Sequence, residues 1–180
     1  GIIKGIGAAT AKKIVDKFGE DSLNIIRDEP EKLSKIKGIS IGRAMEMQSS
    51  FIEKQALQNL AMFLQPFGVT VGFALKVYKR FGSGAVAEIE RNPYILCEVE
   101  GIGFKTADKI AFKMGIDPSS IDRLKNGLYY IMSEYAQGGH TYILYSDLIR
   151  FSEGLLACNA ESAENAFKAM LIEGKIIKEP

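Results

Sequence analysis

The stretch Lys4-Gly5-Ile6-Gly7-Ala8-Ala9-Thr10-Ala11-Lys12-Lys13 recurs along the chain. A near copy is Glu100-Gly101-Ile102-Gly103-Phe104-Lys105-Thr106-Ala107-Asp108-Lys109, and a looser one is Lys37-Gly38-Ile39-Ser40-Ile41-Gly42-Arg43-Ala44. Each reads as a tight turn opening directly into a helix, with the central Ile turned inward as an anchor. Glycine tolerates positive φ and has no side chain, so the backbone can lie against a ligand. The helix that follows presents free N–H groups and its positive dipole end, which favour an anion. Thr10 and Thr106 add hydroxyls, and Lys12, Lys13, Lys105 and Lys109 add charge. That combination suits the phosphate of a nucleic-acid backbone.

The copies are part of a larger repeat. A shift of 63 residues aligns Gly5 with Gly68, Ala11 with Ala74, Lys13 with Lys76 and Phe18-Gly19 with Phe81-Gly82. It also aligns Ile26 with Ile89, Pro30 with Pro93, Gly38-Ile39 with Gly101-Ile102, and Ala44 with Ala107. The chain is read as an internal duplication in which each copy holds two turns, near residues 5, 38, 68 and 101.

Apolar spacing fills in the elements between them. Residues 8–18 read as a helix with Ile14, Val15 and Phe18 as its stripe, closed by Gly19. Residues 21–28 (Leu23, Ile25, Ile26) and 31–36 read as two more, the latter after Pro30. A long helix is expected from about Arg43 to Gln65. From Asp117 the pattern changes. Leu124, Leu128, Ile131, Met132 and Tyr135 mark a helix ended by Gly138-Gly139, and residues 141–144 read as a short strand. Ser146 is expected to cap a helix carrying Leu148, Ile149 and Phe151. Residues 161–173 read as a helix and residues 175–178 as a second strand. Helix, strand, helix, helix, strand is the order of a winged helix lacking its last strand.

The fold expected is therefore mainly α: a tandem helix-hairpin-helix of two duplicated two-hairpin units, then a small winged-helix-like α+β segment. The boundaries expected are 1–52, 53–116 and 117–180, with the long helix joining the first two. Lys4-Gly5-Ile6-Gly7 and the stretch from Gly101 to Asp108 resemble tandem helix-hairpin-helix DNA-binding proteins. The ordered set resembles, more narrowly, the region ahead of the ATPase core in RecD/TraA-type DNA helicases, which are exodeoxyribonuclease V alpha-chain-like. Phe63-Leu64-Gln65, Asn92-Pro93-Tyr94 and Gly139-His140-Thr141-Tyr142 carry the resemblance further, so that it covers nearly the whole chain.

The resemblance implies an ATP-dependent helicase of DNA repair or recombination. Its motor domains, with their ATP and Mg, would follow Pro180, and the chain beginning at Gly1 would be a fragment of it. The partners implied are DNA, single-stranded or at a junction, and the parent's own ATPase domains. The candidate DNA contacts are Gly5, Ile6, Gly7, Thr10, Lys12 and Lys13 in the first turn, and Gly38, Ser40, Gly42 and Arg43 in the second. Gly101, Gly103, Lys105, Thr106 and Lys109 are the candidates in the fourth. The third turn, Gly68-Val69-Thr70, has no second Gly and no basic residue before Lys76, and Glu98 and Glu100 precede the fourth. The rival reading of these turns is a scaffold that docks protein and touches no DNA.

Charge and composition bound these readings. Net charge is +1 over 180 residues, which opposes a strongly basic DNA binder. Residues 1–52 hold nine Lys/Arg against seven Asp/Glu and residues 53–116 eight against six, while residues 117–180 hold six against nine. The basic surplus thus lies with the turns. The would-be recognition helix of the tail has Glu161, Glu164 and Glu173 against Lys168, the wrong sign for a major groove. Docking within the parent suits it better. No Gly-x-x-x-x-Gly-Lys-Ser/Thr loop occurs, so no ATP site is expected in this chain. The glycosylases that use such a hairpin follow it with a Gly/Pro-rich loop ending in a catalytic Asp, which is not found here. The single histidine, His140, cannot nucleate a metal site and reads as a turn residue. Cys97 and Cys158 read as reduced core residues of a cytoplasmic protein. No apolar run approaches a membrane span.

Overall fold

The computed structural model describes residues 3–179. Among them are nine α-helices: α1 (Ala8–Phe18), α2 (Ser22–Asp28), α3 (Ile41–Leu64), α4 (Val71–Phe81), α5 (Ala85–Arg91), α6 (Phe104–Lys113), α7 (Ile121–Gln137), α8 (Tyr145–Leu156) and α9 (Ala160–Ile172). Short 3-10 segments at Gly19–Asp21, Pro30–Lys35, Gln65–Phe67, Gly82–Gly84 and Pro93–Glu98 join several of them. The chain divides after Ser83 into two compact units.

The duplication is reproduced element by element. Adding 63 to the bounds of α1 and α2 gives the bounds of α4 and α5, and adding it to Ile41 gives Phe104, where α6 begins. The 3-10 segment at Pro30–Lys35 maps in the same way onto Pro93–Glu98. Buried side chains obey the register too: Ile14 and Val77, Ile26 and Ile89, Leu33 and Leu96, Ile39 and Ile102, Ala44 and Ala107. Two copies of one pattern therefore bury the same positions, although their partners differ.

In the first unit, Ile14 of α1, Ile25 and Ile26 of α2, Leu33, Ile36 and Ile39 close on Ala44 and Met47 of α3. Ile6, Phe18 and Phe51 pack around the edge of this cluster. Each fully buried side chain of this size contributes roughly 1.5–3 kcal/mol. Helices this short would not persist alone; packing on α3 stabilises them. α3 has 24 residues, about 36 Å of helix. α2, the Pro30–Lys35 segment and α4 all pack on it. Val15 and Leu23, expected on apolar stripes, are instead 55% and 58% exposed. A helix of seven to eleven residues presents only one or two turns to the core, and Ile14, Ile25 and Ile26 take those places.

The second unit gathers α5, the Pro93–Glu98 segment and α6 with α7, α8 and α9, the last three packing pairwise on one another. Here the winged-helix expectation is overturned. Among the described residues no strand forms, and residues 141–144 and 175–178 join no ladder. Instead Thr141, Tyr142, Ile143, Leu144, Ile176 and Ile177 line one hollow of about 830 Å³ together with Leu148 and Phe167. Thr, Tyr and Ile favour a pleated, half-buried surface without supplying a partner, and a lone two-stranded ladder is marginal. Nor does Ser146 cap α8: the helix begins at Tyr145, and Leu144 sits in the cap position with no side-chain bond. The end of α7 is as expected, with Gly138 at the cap and Gly139 at φ 90°.

Candidate nucleic-acid interface

All four turns have one backbone geometry. Gly5, Gly38, Gly68 and Gly101 lie at φ of 85°, 94°, 79° and 86°, a region costly for residues with a Cβ. Two residues later the backbone is extended in each: Gly7 (φ −88°, ψ 173°), Ser40 (−81°, 163°), Thr70 (−77°, 159°) and Gly103 (−84°, 167°). Any residue adopts that conformation, so the second position of the motif is free to vary without loss of fold. In turns one, two and four the N–H of the central isoleucine donates to the carbonyl three residues back: Ile6 to Ile3 at 3.1 Å, Ile39 to Ile36 at 3.1 Å and Ile102 to Val99 at 2.9 Å. Ile39 and Ile102 are buried and Ile6 half-buried, so the central residue anchors each of these turns.

The second position divides the turns by chemistry. Ser40 and Thr70 accept from the N–H groups of Arg43 and Phe73 at 3.2 and 3.4 Å and so cap α3 and α4 themselves. Gly7 and Gly103 make no side-chain cap, which leaves the first N–H groups of α1 and α6 without an intramolecular side-chain acceptor. A Cβ added at Gly7 or Gly103 would meet nothing within 4 Å. These two turns are open to an anion, and the other two are partly occupied by their own hydroxyls.

Turns one and two are brought together by Arg43. Its guanidinium donates from Nη2 to the Gly5 carbonyl at 3.1 Å and from Nη1 to the Gly38 carbonyl at 3.3 Å. Gly5, Gly7, Lys12, Lys13, Gly38, Ser40, Gly42 and Arg43 are exposed, and Thr10 is half-buried. Lys4 and Lys37 are exposed as well, each immediately before the glycine of its turn, and belong with this set although the candidate residues omit them. The signal was in the sequence: both turns of the first copy read Lys-Gly-Ile. The equivalents in the second copy are Phe67 and Glu100, and the equivalent of Arg43 is Thr106. The turns of the first copy are therefore the more basic ones, although the two copies carry the same surplus of charge.

The fourth turn is held from behind by a buried network. Arg123 of α7 donates from Nε and Nη2 to the two carboxylate oxygens of Asp108 on α6, at 2.8 and 3.1 Å. Its Nη1 donates to the carbonyls of Pro118 and Leu156, both at 2.9 Å. The Tyr94 hydroxyl donates to Asp108 at 2.6 Å, and burial together with that bond raises its pKa. Cys97 lies close by, its thiol pushed up to about 11 by burial. Gly101, Gly103, Lys105, Thr106 and Lys109 are exposed.

This arrangement has relatives among known proteins. Residues 53–142 match the family described as the ATP-dependent RecD2 DNA helicase HHH domain, half of the chain. The chain belongs to that family. Residues 3–48 match the SAM-like helix-hairpin-helix tandem. An ATP-dependent RecD2 DNA helicase of Deinococcus radiodurans is 31% identical over 142 residues, 78% of this chain and 20% of the relative. The chain thus spans about a fifth of that relative's length. The RecD2-type match takes in turns three and four, the Asp108–Arg123 pair and the Gly139-His140-Thr141-Tyr142 stretch. In this RecD2-type region His140 stacks on Tyr135 with ring centroids 4.2 Å apart. Among the described residues no cluster of three His, Cys, Asp or Glu is placed to hold a metal. No described helix is long and apolar enough to cross a membrane.

Proposed function

We propose that the chain is a sequence-independent DNA-binding region of a cytoplasmic ATP-dependent DNA helicase acting in repair or recombination. Turns one, two and four contact backbone phosphates. ATP hydrolysis, with its Mg, belongs to motor domains outside these 180 residues, which this region would also contact. The observation that carries the reading is the pairing of turns one and two through Arg43, with Lys4, Lys12, Lys13 and Lys37 exposed around them. Backbone amides and lysines recognise phosphate and see no base edges, so affinity comes without sequence preference.

The test is a fluorescence-anisotropy titration with single-stranded, duplex and forked DNA across a salt series. Three phosphates neutralised would give a log–log slope of about −2 to −3. A flat salt response, or strong discrimination among scrambled sequences, defeats the reading. The same preparation should hydrolyse no ATP.

One observation favours a second role for the third turn. Val71, at its exit, is 72% exposed, Leu75 is exposed too, and Phe67 stands where the first turn has Lys4. This turn suits contact with protein, and docking of the whole region without DNA is the alternative if the titration fails.

A further inference from the structure

Beside the fourth turn lies an aromatic hollow that the phosphate reading does not use. Tyr94, Phe104 and Tyr130 form a continuous ring stack, with centroids 5.8 and 5.7 Å apart and planes inclined by 15° and 24°. It begins at the buried Asp108 network and ends where Tyr130 lines a hollow of about 370 Å³ between α6, α7 and α8. Tyr135 and Phe151 line the same hollow, their rings 6.4 Å apart and tilted by 41°. Lys105, two positions beyond Gly103, completes its wall on the side of the turn.

The volume falls within the range of about 300–1,000 Å³ usual for small-ligand sites. Aromatic rings beside a cation are the means by which single strands are bound without sequence preference, because every base has a π face. A paired base stays inside its own stack and cannot enter unless it is extruded. Glu134 also lines the hollow, beside Tyr130. Its charge keeps a phosphate out of the hollow and leaves Lys105 as the phosphate partner. We propose that this hollow seats one unpaired nucleobase, packed against the Tyr130, Tyr135 and Phe151 rings, while Lys105 holds the adjoining phosphate. The inference rests on the DNA-binding reading and gives it a strand preference.

The experiment uses the 180-residue chain and an oligonucleotide carrying a single 5-iododeoxyuridine. Irradiation should cross-link the single strand to Tyr130, Tyr135 or Phe151, as mapped by mass spectrometry, and annealing the complement should suppress those products. Phe151 is 39% exposed, so Phe151→Ala should fold. It should weaken single-strand binding about fivefold or more and leave duplex binding unchanged. It should also abolish the preference of the native chain for intact over abasic strands, a readout that a merely structural role would not move. Cross-links elsewhere on DNA-bound protein, or equal losses for single strand and duplex, overturn this site and leave the phosphate reading standing. Absence of anisotropy change with every DNA overturns both.

Discussion

The guanidinium of Arg43 donates to the carbonyl of Gly5, 38 residues earlier in the chain, at 3.1 Å. Because its other terminal nitrogen reaches Gly38, one side chain ties two of the turns together. Lysine is a point donor on a flexible stem and cannot span both carbonyls. Arg43→Lys is therefore expected to weaken DNA binding while keeping the salt slope. Arg43→Ala should weaken it further and flatten the slope by up to about one unit. The bonds are exposed, so either variant should lose no more than about 0.5–1.5 kcal/mol per bond on urea unfolding.

The two glycines of the first turn should separate fold from function. Gly5 sits at φ 85°, and an added Cβ would touch Met47 at 3.4 Å, so Gly5→Ala is expected to cost about 1–2 kcal/mol. Gly7 is extended with open space around it, and Gly7→Val should cost no more than about 1 kcal/mol, the difference between a tolerated and a poor N-cap residue. Its DNA affinity should nonetheless fall several-fold, since the new side chain fills the phosphate approach. Thermal unfolding and anisotropy on the same samples check both halves, and a stable Gly7→Val that binds normally would remove Gly7 from the interface.

Turns one and three share a fold and differ in charge, which makes them a matched pair. Lys12→Ala with Lys13→Ala should weaken binding several-fold and flatten the salt slope by roughly one to two units. Lys76→Ala, at the equivalent place in α4, should change little. Thr70 is kept as it is, because it caps α4 and its loss would cost about 1 kcal/mol for reasons unrelated to DNA. Equal effects from both sets would mean that the turn is not the contact.

Breaking the Asp108–Arg123 pair should be costly because both groups are largely withdrawn from water, with side chains 14% and 5% exposed. Arg123→Ala strands the carboxylate and is expected to cost about 3–5 kcal/mol. Arg150, which pairs with Asp147 at 2.7 Å and has a side chain 69% exposed, serves as control, and Arg150→Ala should cost less than about 1 kcal/mol. Denaturant midpoints decide the comparison.

Cys97 gives a signature in alkaline solution. Its thiol pKa is about 11 in the fold against an ordinary 9.0, so the unfolded chain loses this proton first. Between those values the native state binds more protons than the unfolded one, and stability falls as pH rises. Below pH 9 the contribution is constant. At pH 7 both thiols, each raised by burial, should react slowly with iodoacetamide until denaturant is added.

Much of this molecule is legible in its sequence because its rules are local. A glycine at positive φ, an inward isoleucine and a helix start occur within five residues, and the spacing of 63 between copies places them throughout. The bounds of α1 and the end of α7 follow from Gly7, Gly19 and Gly138 alone. The same local reading failed at residues 141–144 and 175–178, since β-forming residues state a preference while a strand requires a partner elsewhere in the chain. Arg123 escaped notice for a related reason. Along α7 it looks like one more charge on an amphipathic helix, and only packing on α6 supplies the carboxylate that buries it. Arg43 was legible as a charge beside a turn, but not as the tie between two turns, because only the packing of Ile14, Ile26 and Met47 in one core brings Gly5 and Arg43 together. Backbone constraints fixed each turn within the sequence; which turns stand together, and which charges are buried behind them, were decided by contacts between residues distant in the chain.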